Sequence, residues 1–143
     1  MFPVASRFNK ERWDFGRVNQ TALLPFLEQH LGETITETTA FYDTMDGKTK
    51  TKDVEIKTRS EKYNWQSDYI MAEGWLIPCC KVETARQTKR PTFFFYFWKC
   101  DGSVWELEYT EEKFRDLKPV VPPWHKEKQP HYYVPFTRWK RIR

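Results

Sequence analysis

Six aromatic rings follow one another without interruption in Thr92 to Lys99 (TFFFYFWK). Side chains alternate across a strand, so a run with no polar alternation gives a strand with apolar groups on both of its faces. The run is too short for a membrane span, which needs roughly 20 apolar residues. It therefore predicts a central strand covered on both sides, the signature of a sheet sandwiched by other elements. The Asp101-Gly102 turn that follows returns the chain into Val104–Thr110 as a second hairpin strand.

The remaining elements are read around that strand. Leu23, Leu24, Leu27 and Leu31 recur at helical spacing, with Asn19 as N-cap and Gly32 as stop, while Pro25 shifts the start toward Leu23 or distorts that turn. Residues 35–45 and 49–59 are β-rich and flank Asp46-Gly47, a dipeptide suited to a tight hairpin turn. Residues 60–78 show no clear period beyond a short strand near Trp75–Ile77. Pro78 suits a helix start, and CCKVETARQTKR continues to the stop at Pro91. A short helix is expected from Glu111 to Leu117, and Pro119, Pro122 and Pro123 end regular structure. The expected organisation is an N-terminal arm over 1–18, one α/β domain over 19–118, and an extended basic, aromatic tail over 119–143. One domain is also what 143 residues at 39% hydrophobic content support, because two cores would each be too small.

Charge is distributed unevenly. The chain carries a formal +4, yet from Pro122 to Arg143 six basic residues oppose only Glu127, which gives +5 there and −1 elsewhere. Arg138, Lys140, Arg141 and Arg143 alternate with Tyr132, Tyr133, Phe136 and Trp139 in the manner of a phosphate-contacting, base-stacking segment. Cys79, Cys80 and Cys100 show neither the pairing of a disulfide framework nor zinc-site spacing, and they read as reduced thiols. With no apolar leader in the first residues, the expected location is intracellular, unsecreted and away from the membrane. No serine or cysteine nucleophile with a companion histidine appears, nor a glycine-rich phosphate loop, so acyl transfer and nucleotide hydrolysis lack support.

The chemistry-bearing pattern lies in the first hairpin. Strand alternation puts Asp53, Glu55, Lys57 and Arg59 on one face, with Val54, Ile56 and Thr58 on the other. Phosphodiester hydrolysis needs a hard cation held by one or two carboxylates and a positive group beside the attacking water. Asp43 and Glu55 can supply the carboxylates from the two hairpin arms, and Lys57 the ammonium. Asp46 is an alternative to Asp43, although its Asp-Gly context is accounted for by the turn. Asp53 reads as surface pairing. The plainer reading of the whole strand is a solvated charged face whose residues pair with neighbours.

Asp43 followed after a hairpin by Glu55-Ile56-Lys57, with a helix before and a helix and buried strand after, resembles the PD-(D/E)XK nuclease superfamily over roughly residues 19–110. The resemblance implies a restriction-endonuclease-like αβββαβ core, a single mixed sheet flanked by helices, here with an extra C-terminal hairpin strand. It implies Mg²⁺ or Mn²⁺ on Asp43 and Glu55, with Glu28 of the first helix as a further acidic ligand and Lys57 assisting the water. Tyr42 stands where the family often has proline before the aspartate, and no glutamine-x-x-x-tyrosine helix follows Lys57. The implied function is a metal-dependent DNA endonuclease, with Arg59, Lys81 and the tail cations Arg138, Lys140, Arg141 and Arg143 on phosphates. The alternative is a nuclease-like fold without catalysis, serving as a nucleic-acid-binding or structural subunit, as a homodimer or in a larger complex.

Overall fold

A computed structural model of the chain describes residues 10–38, 45–59, 74–122 and 128–143, with side chains from Arg17 onward. The first element is helix α1 (Lys10–Leu31), which begins well before the expected cap at Asn19 and runs through Pro25. Proline forgoes a hydrogen bond to the carbonyl four residues back, and both Pro25 and Thr21 are exposed, where water can take that carbonyl. The helix ends at Gly32, whose N–H reaches Glu28 O at 2.8 Å.

Three strands follow as a meander: β1 (Thr36–Glu37), β2 (Gly47–Lys48) and β3 (Asp53–Arg59), each antiparallel to the one before. The hairpin turn is not at Asp46-Gly47, as its composition suggested, but at Thr49–Lys52. Thr49 N–H closes on Lys52 O at 2.8 Å, and the Thr49 hydroxyl accepts the N–H groups of Thr51 and Lys52 at 3.2 and 2.8 Å. The Glu33 carboxylate then accepts from Thr49, Thr51 and Lys52 at 2.8, 2.7 and 3.0 Å, which clamps the turn to the end of α1. Gly47 instead serves a close approach. A Cβ there would lie 2.9 Å from Ile35 Cγ2 and 3.2 Å from Thr36 O, so glycine lets β1 press against β2.

The chain continues through β4 (Trp75–Pro78), α2 (Cys79–Gln87), β5 (Thr92–Trp98), β6 (Ser103–Glu108) and the short α3 (Glu111–Phe114). Strand β5 runs parallel to β3, residue for residue from Asp53↔Thr92 to Arg59↔Trp98, and antiparallel to β6. The expected buried strand and its Asp101-Gly102 hairpin are both present. Phe95 packs with Val54, Ile56, Leu23 and Leu27 beneath α1; Phe94, Tyr96 and Trp98 pack with Val82 and Ala85 of α2 and with the second sheet. The aromatic run is thus apolar on both sides because both sides are covered.

The C-terminal stretch is integral to the domain. Strand β7 (His131–Val134) pairs with β4 as a separate two-stranded sheet, and β8 (Lys140–Arg141) pairs with β6 to complete a six-stranded mixed sheet in the order β1-β2-β3-β5-β6-β8. Where prolines suggested an extended tail, backbone partners distant in sequence organise residues 128–143 as strands and one 3₁₀ turn. The two sheets meet in an aromatic cluster: the Trp75 ring lies 5.1–5.4 Å from those of Tyr96, Trp98, Trp105 and Trp139. Each such pair adds roughly 0.5–1.5 kcal/mol beyond burial. The Tyr96 hydroxyl donates to Leu76 O at 3.0 Å, satisfying its polar atom inside the core. At Gly74 the backbone has φ 123° and any Cβ would stand 2.4 Å from Val134 O, so only glycine lets β4 enter beside β7.

The result is an α/β fold with one mixed sheet and few helices. No helix among the described residues is long and apolar enough to cross a membrane.

Candidate functional site

The parallel register decides where the charged residues of β3 point. Glu55 stands beside Phe94 and Lys57 beside Tyr96, so both share the sheet face that α2 covers, opposite Val54 and Ile56 under α1. Alternation along β3 thus acts as expected, and the E-x-K pair lies half-buried beneath a helix rather than on a solvated face.

Its acidic neighbour is Asp46. Because the turn lies at Thr49–Lys52, extending the pairs Lys48↔Asp53 and Gly47↔Val54 by one sets Asp46 across from Glu55. Asp46 Oδ2 accepts the Ile56 N–H at 2.7 Å, and the Asp46 carboxylate is near enough to Glu55 to act on its charge. Asp43, the expected partner, lies outside the described residues. From α2, the Lys81 ammonium comes within 3.4 Å of Glu55 Oε1, an oxygen that is buried and takes no hydrogen bond. Asp46 just before β2, Glu55 and Lys57 of β3 and Lys81 of α2 therefore converge.

Their electrostatics follow from this crowding. Burial, reinforced by the Asp46 carboxylate, raises Glu55 from 4.5 to about 8 against the pull of Lys81 and Lys57. The Arg59 guanidinium, then burial, lowers Lys57 from 10.5 to about 8. For Lys81 burial works against the charge, but Glu55 and Asp46 more than offset it and raise its value. Burial also pushes up the Cys80 thiol, against the opposing pull of Lys81.

Other expected site residues are placed elsewhere. The Glu28 carboxylate accepts the Ile35 N–H at 2.7 Å, fastening the exit from α1 on the far side of the sheet from Glu55. Asp53 is buried and not a surface residue: Arg90 Nε donates to it at 3.0 Å, and the same guanidinium donates to Thr49 O at 2.6 Å and Lys52 O at 3.0 Å. Arg59 stands on the Lys57 face, half-buried, with its Nε enclosed and without a hydrogen-bond partner. Arg138 forks onto Asp116 at 3.0 and 2.8 Å and donates to Lys113 O at 2.6 Å. Arg141 lies 5.8 Å from the Trp105 ring, Arg143 lies 4.8 Å from that of Phe26, and Lys140 is exposed on β8. These cations belong to the β6–β8 edge and not to the Glu55 group.

Sequence reasoning passed over Asp46 as the partner of Glu55. The signal was there: Thr49-Lys50-Thr51-Lys52 forms a threonine-capped turn that sets this register. No group of three or more His, Cys, Asp or Glu side chains able to hold a metal occurs among the described residues. Two neighbouring carboxyl groups nonetheless suit a hard cation such as Mg²⁺, which takes one or two carboxylates and keeps water in its other positions. No family model matches the chain, and neither the curated proteins nor the solved structures yield a match.

Proposed function

We propose that the protein is a divalent-metal-dependent endonuclease acting on DNA, of the PD-(D/E)XK type. The observation that carries this reading is the register that sets Asp46 across from Glu55 with Lys57 on the same face of β3. The element order is also consistent with it: α1, β1, β2, β3, then α2 and β5, follow one another in the sequence expected of such a core, with β4 between β3 and α2 and β6 after β5.

Asp46 and Glu55 would hold the cation, with Asp46 in the role first given to Asp43. A bound Mg²⁺ or Mn²⁺ supplies charge neutralisation at the phosphate and lowers the pKa of an attacking water. The Ile56 N–H fixes Asp46, and strand pairing fixes Glu55, so the two oxygens are held by backbone and not by flexible loops. Lys57 projects from the same face two residues on. With its pKa lowered toward neutrality, it can hold a water by hydrogen bond and exchange a proton with it.

The test is cleavage of plasmid and linear DNA with Mg²⁺ or Mn²⁺ by wild type, Glu55→Gln and Lys57→Met, with folding verified by circular dichroism. Loss of cleavage in both folded variants is expected. Undiminished cleavage by both overturns the reading. Tyr132, Tyr133 and Trp139, expected in a base-stacking segment, are buried in this domain's own core. A non-catalytic binding role is thus the outcome in which wild type binds DNA and cleaves none.

A further inference from the structure

Arg59 ends β3 on the face that carries Glu55 and Lys57, and it pairs in register with Trp98, the last residue of β5. It keeps part of its surface exposed, yet its Nε is enclosed and takes no hydrogen bond among the described residues. A buried N–H left unpaired costs about 1–3 kcal/mol, and in a native fold it calls for a water or an ion to complete it. A like charge beside it adds to the cost. Lys57 stands two residues, roughly 7 Å, before Arg59 on the same face, and the guanidinium is the largest influence on that ammonium. Trp98 is only 1% exposed, so a ring and not water lies along this side of the strand end, where charges are weakly screened. With every group charged, the described part of this cluster sets Lys57, Arg59 and Lys81 against Asp46 and Glu55, while Asp53 is taken by Arg90. Positive charge is thus left over at the carboxyl ends of two parallel strands, the place where α/β sheets bind ligands.

We infer that Arg59 and Lys57 together form a binding site for a phosphate-class oxyanion at the carboxyl end of β3. Arginine suits the task because its Nε–H and a neighbouring Nη–H lie along one edge of the planar guanidinium and match two oxygens of a phosphate, so the orphaned donor is one that the ligand completes. Lys57 adds a point charge from the same face. The inference goes beyond the endonuclease reading and does not need it, since two cations bind an oxyanion without a metal and without cleavage. The phosphate belongs either to a nucleic-acid backbone or to a free phosphate or phosphorylated small molecule, and the chemistry of recognition is the same.

The test titrates inorganic phosphate into the full chain in EDTA, with chloride withdrawn to hold ionic strength constant. Thermal unfolding and the arginine Nε–H signals of ¹⁵N-labelled protein are followed together. Wild type should show a saturable rise in Tm and one Nε–H signal that shifts with the same Kd. Arg59→Lys, which keeps the charge and lacks that N–H, identifies the signal by its loss. Arg59→Gln should weaken phosphate about tenfold or more. Lys89→Gln, which removes an exposed cation just before β5 and so at its opposite end, should change Kd by less than about twofold. The wild-type signal decides the matter even where Arg59→Gln fails to fold. Anisotropy of a short fluorescent DNA duplex separates the two sources: a backbone phosphate is the occupant where free phosphate competes with the duplex and Arg59→Gln lowers the salt slope by about 0.9. Phosphate binding that needs Arg59, with duplex binding unchanged, keeps the site for a small phosphate ligand and weighs against the DNA reading alone. No saturable response in wild type, no shifted Nε–H signal, or an equal loss in Lys89→Gln overturns the inference, and leaves the endonuclease reading to its own test at Glu55 and Lys57.

Discussion

Asp46 stands across from Glu55 where the β2–β3 register is extended by one residue, and Asp46 Oδ2 receives the Ile56 N–H at 2.7 Å. One aspartate therefore serves two purposes, as a backbone acceptor and as half of an acidic pair. The two purposes separate by substitution. Asp46→Asn keeps an oxygen for the Ile56 N–H and should fold with little loss. Asp46→Ala leaves that N–H unpaired and should cost about 1–3 kcal/mol in urea unfolding. On the proposed metal-binding reading Mn²⁺ should raise the wild-type Tm, and both substitutions should abolish that rise. Retention of that rise in Asp46→Asn would show that the cation is held elsewhere.

Crowding at this face also sets a pH dependence. Glu55, raised from 4.5 to about 8, holds its proton more tightly folded than unfolded, so its contribution to stability is complete at acid pH and is lost as pH rises across that interval. Lys57, lowered from 10.5 to about 8, acts in the opposite direction: the folded state releases the proton first, so stability recovers as pH rises from about 8 toward 10.5. Metal-free protein should therefore show a trough in its urea midpoint around pH 8, on the order of a few kcal/mol deep. Glu55→Gln should flatten the acid side of the trough and leave the alkaline side. A trough unchanged by that substitution would remove Glu55 as its cause.

Arg90 and Asp53 set the near end of β3. Asp53 is only 5% exposed, and Arg90 joins it to Thr49 O and Lys52 O, binding the hairpin turn to the start of β5. Arg90→Met strands a buried carboxylate and should cost about 3–5 kcal/mol. Adding Asp53→Asn should recover part of that loss, because the unpaired charge is then gone. A double variant no better than Arg90→Met alone would show that the carbonyl contacts, and not the ion pair, carry the stability.

What the chain discloses by itself follows the range of the interactions involved. Local alternation is enough to place Thr92–Trp98 as a doubly covered strand and to put Glu55 and Lys57 on one face, since both depend only on period-two geometry. The hairpin turn was misplaced because Asp46-Gly47 has the stronger local turn composition. The real turn is settled by Glu33, from 16 to 19 residues away, whose carboxylate gathers Thr49, Thr51 and Lys52. Asp46 came into the site only through that register. Lys81 read as a general phosphate contact because its approach to Glu55 depends on how α2 lies over the sheet, which helical periodicity does not reveal. Charge counting likewise could not distinguish cations on a free arm from cations fixed on β8 and its neighbours.

Arg138 and Trp139 show what that last distinction implies. The Arg138 guanidinium is already engaged by Asp116 and Lys113 O, and Trp139 is buried against Trp75 and Tyr96. Arg138→Ala should therefore leave DNA affinity and its salt slope unchanged within about twofold, while Trp139→Ala should destabilise the domain by about 3–5 kcal/mol through the cavity it opens. Lys140→Ala is the contrasting substitution, because Lys140 is exposed on β8 beside the Arg141 and Arg143 cations. If DNA follows this edge, Lys140→Ala should lower the salt slope by nearly one, and Arg138→Ala should not. An equal loss of slope in both variants would mean that Arg138 leaves Asp116 for phosphate. The β8 edge would then be a surface that rearranges on binding, in place of one whose cations are set by the fold.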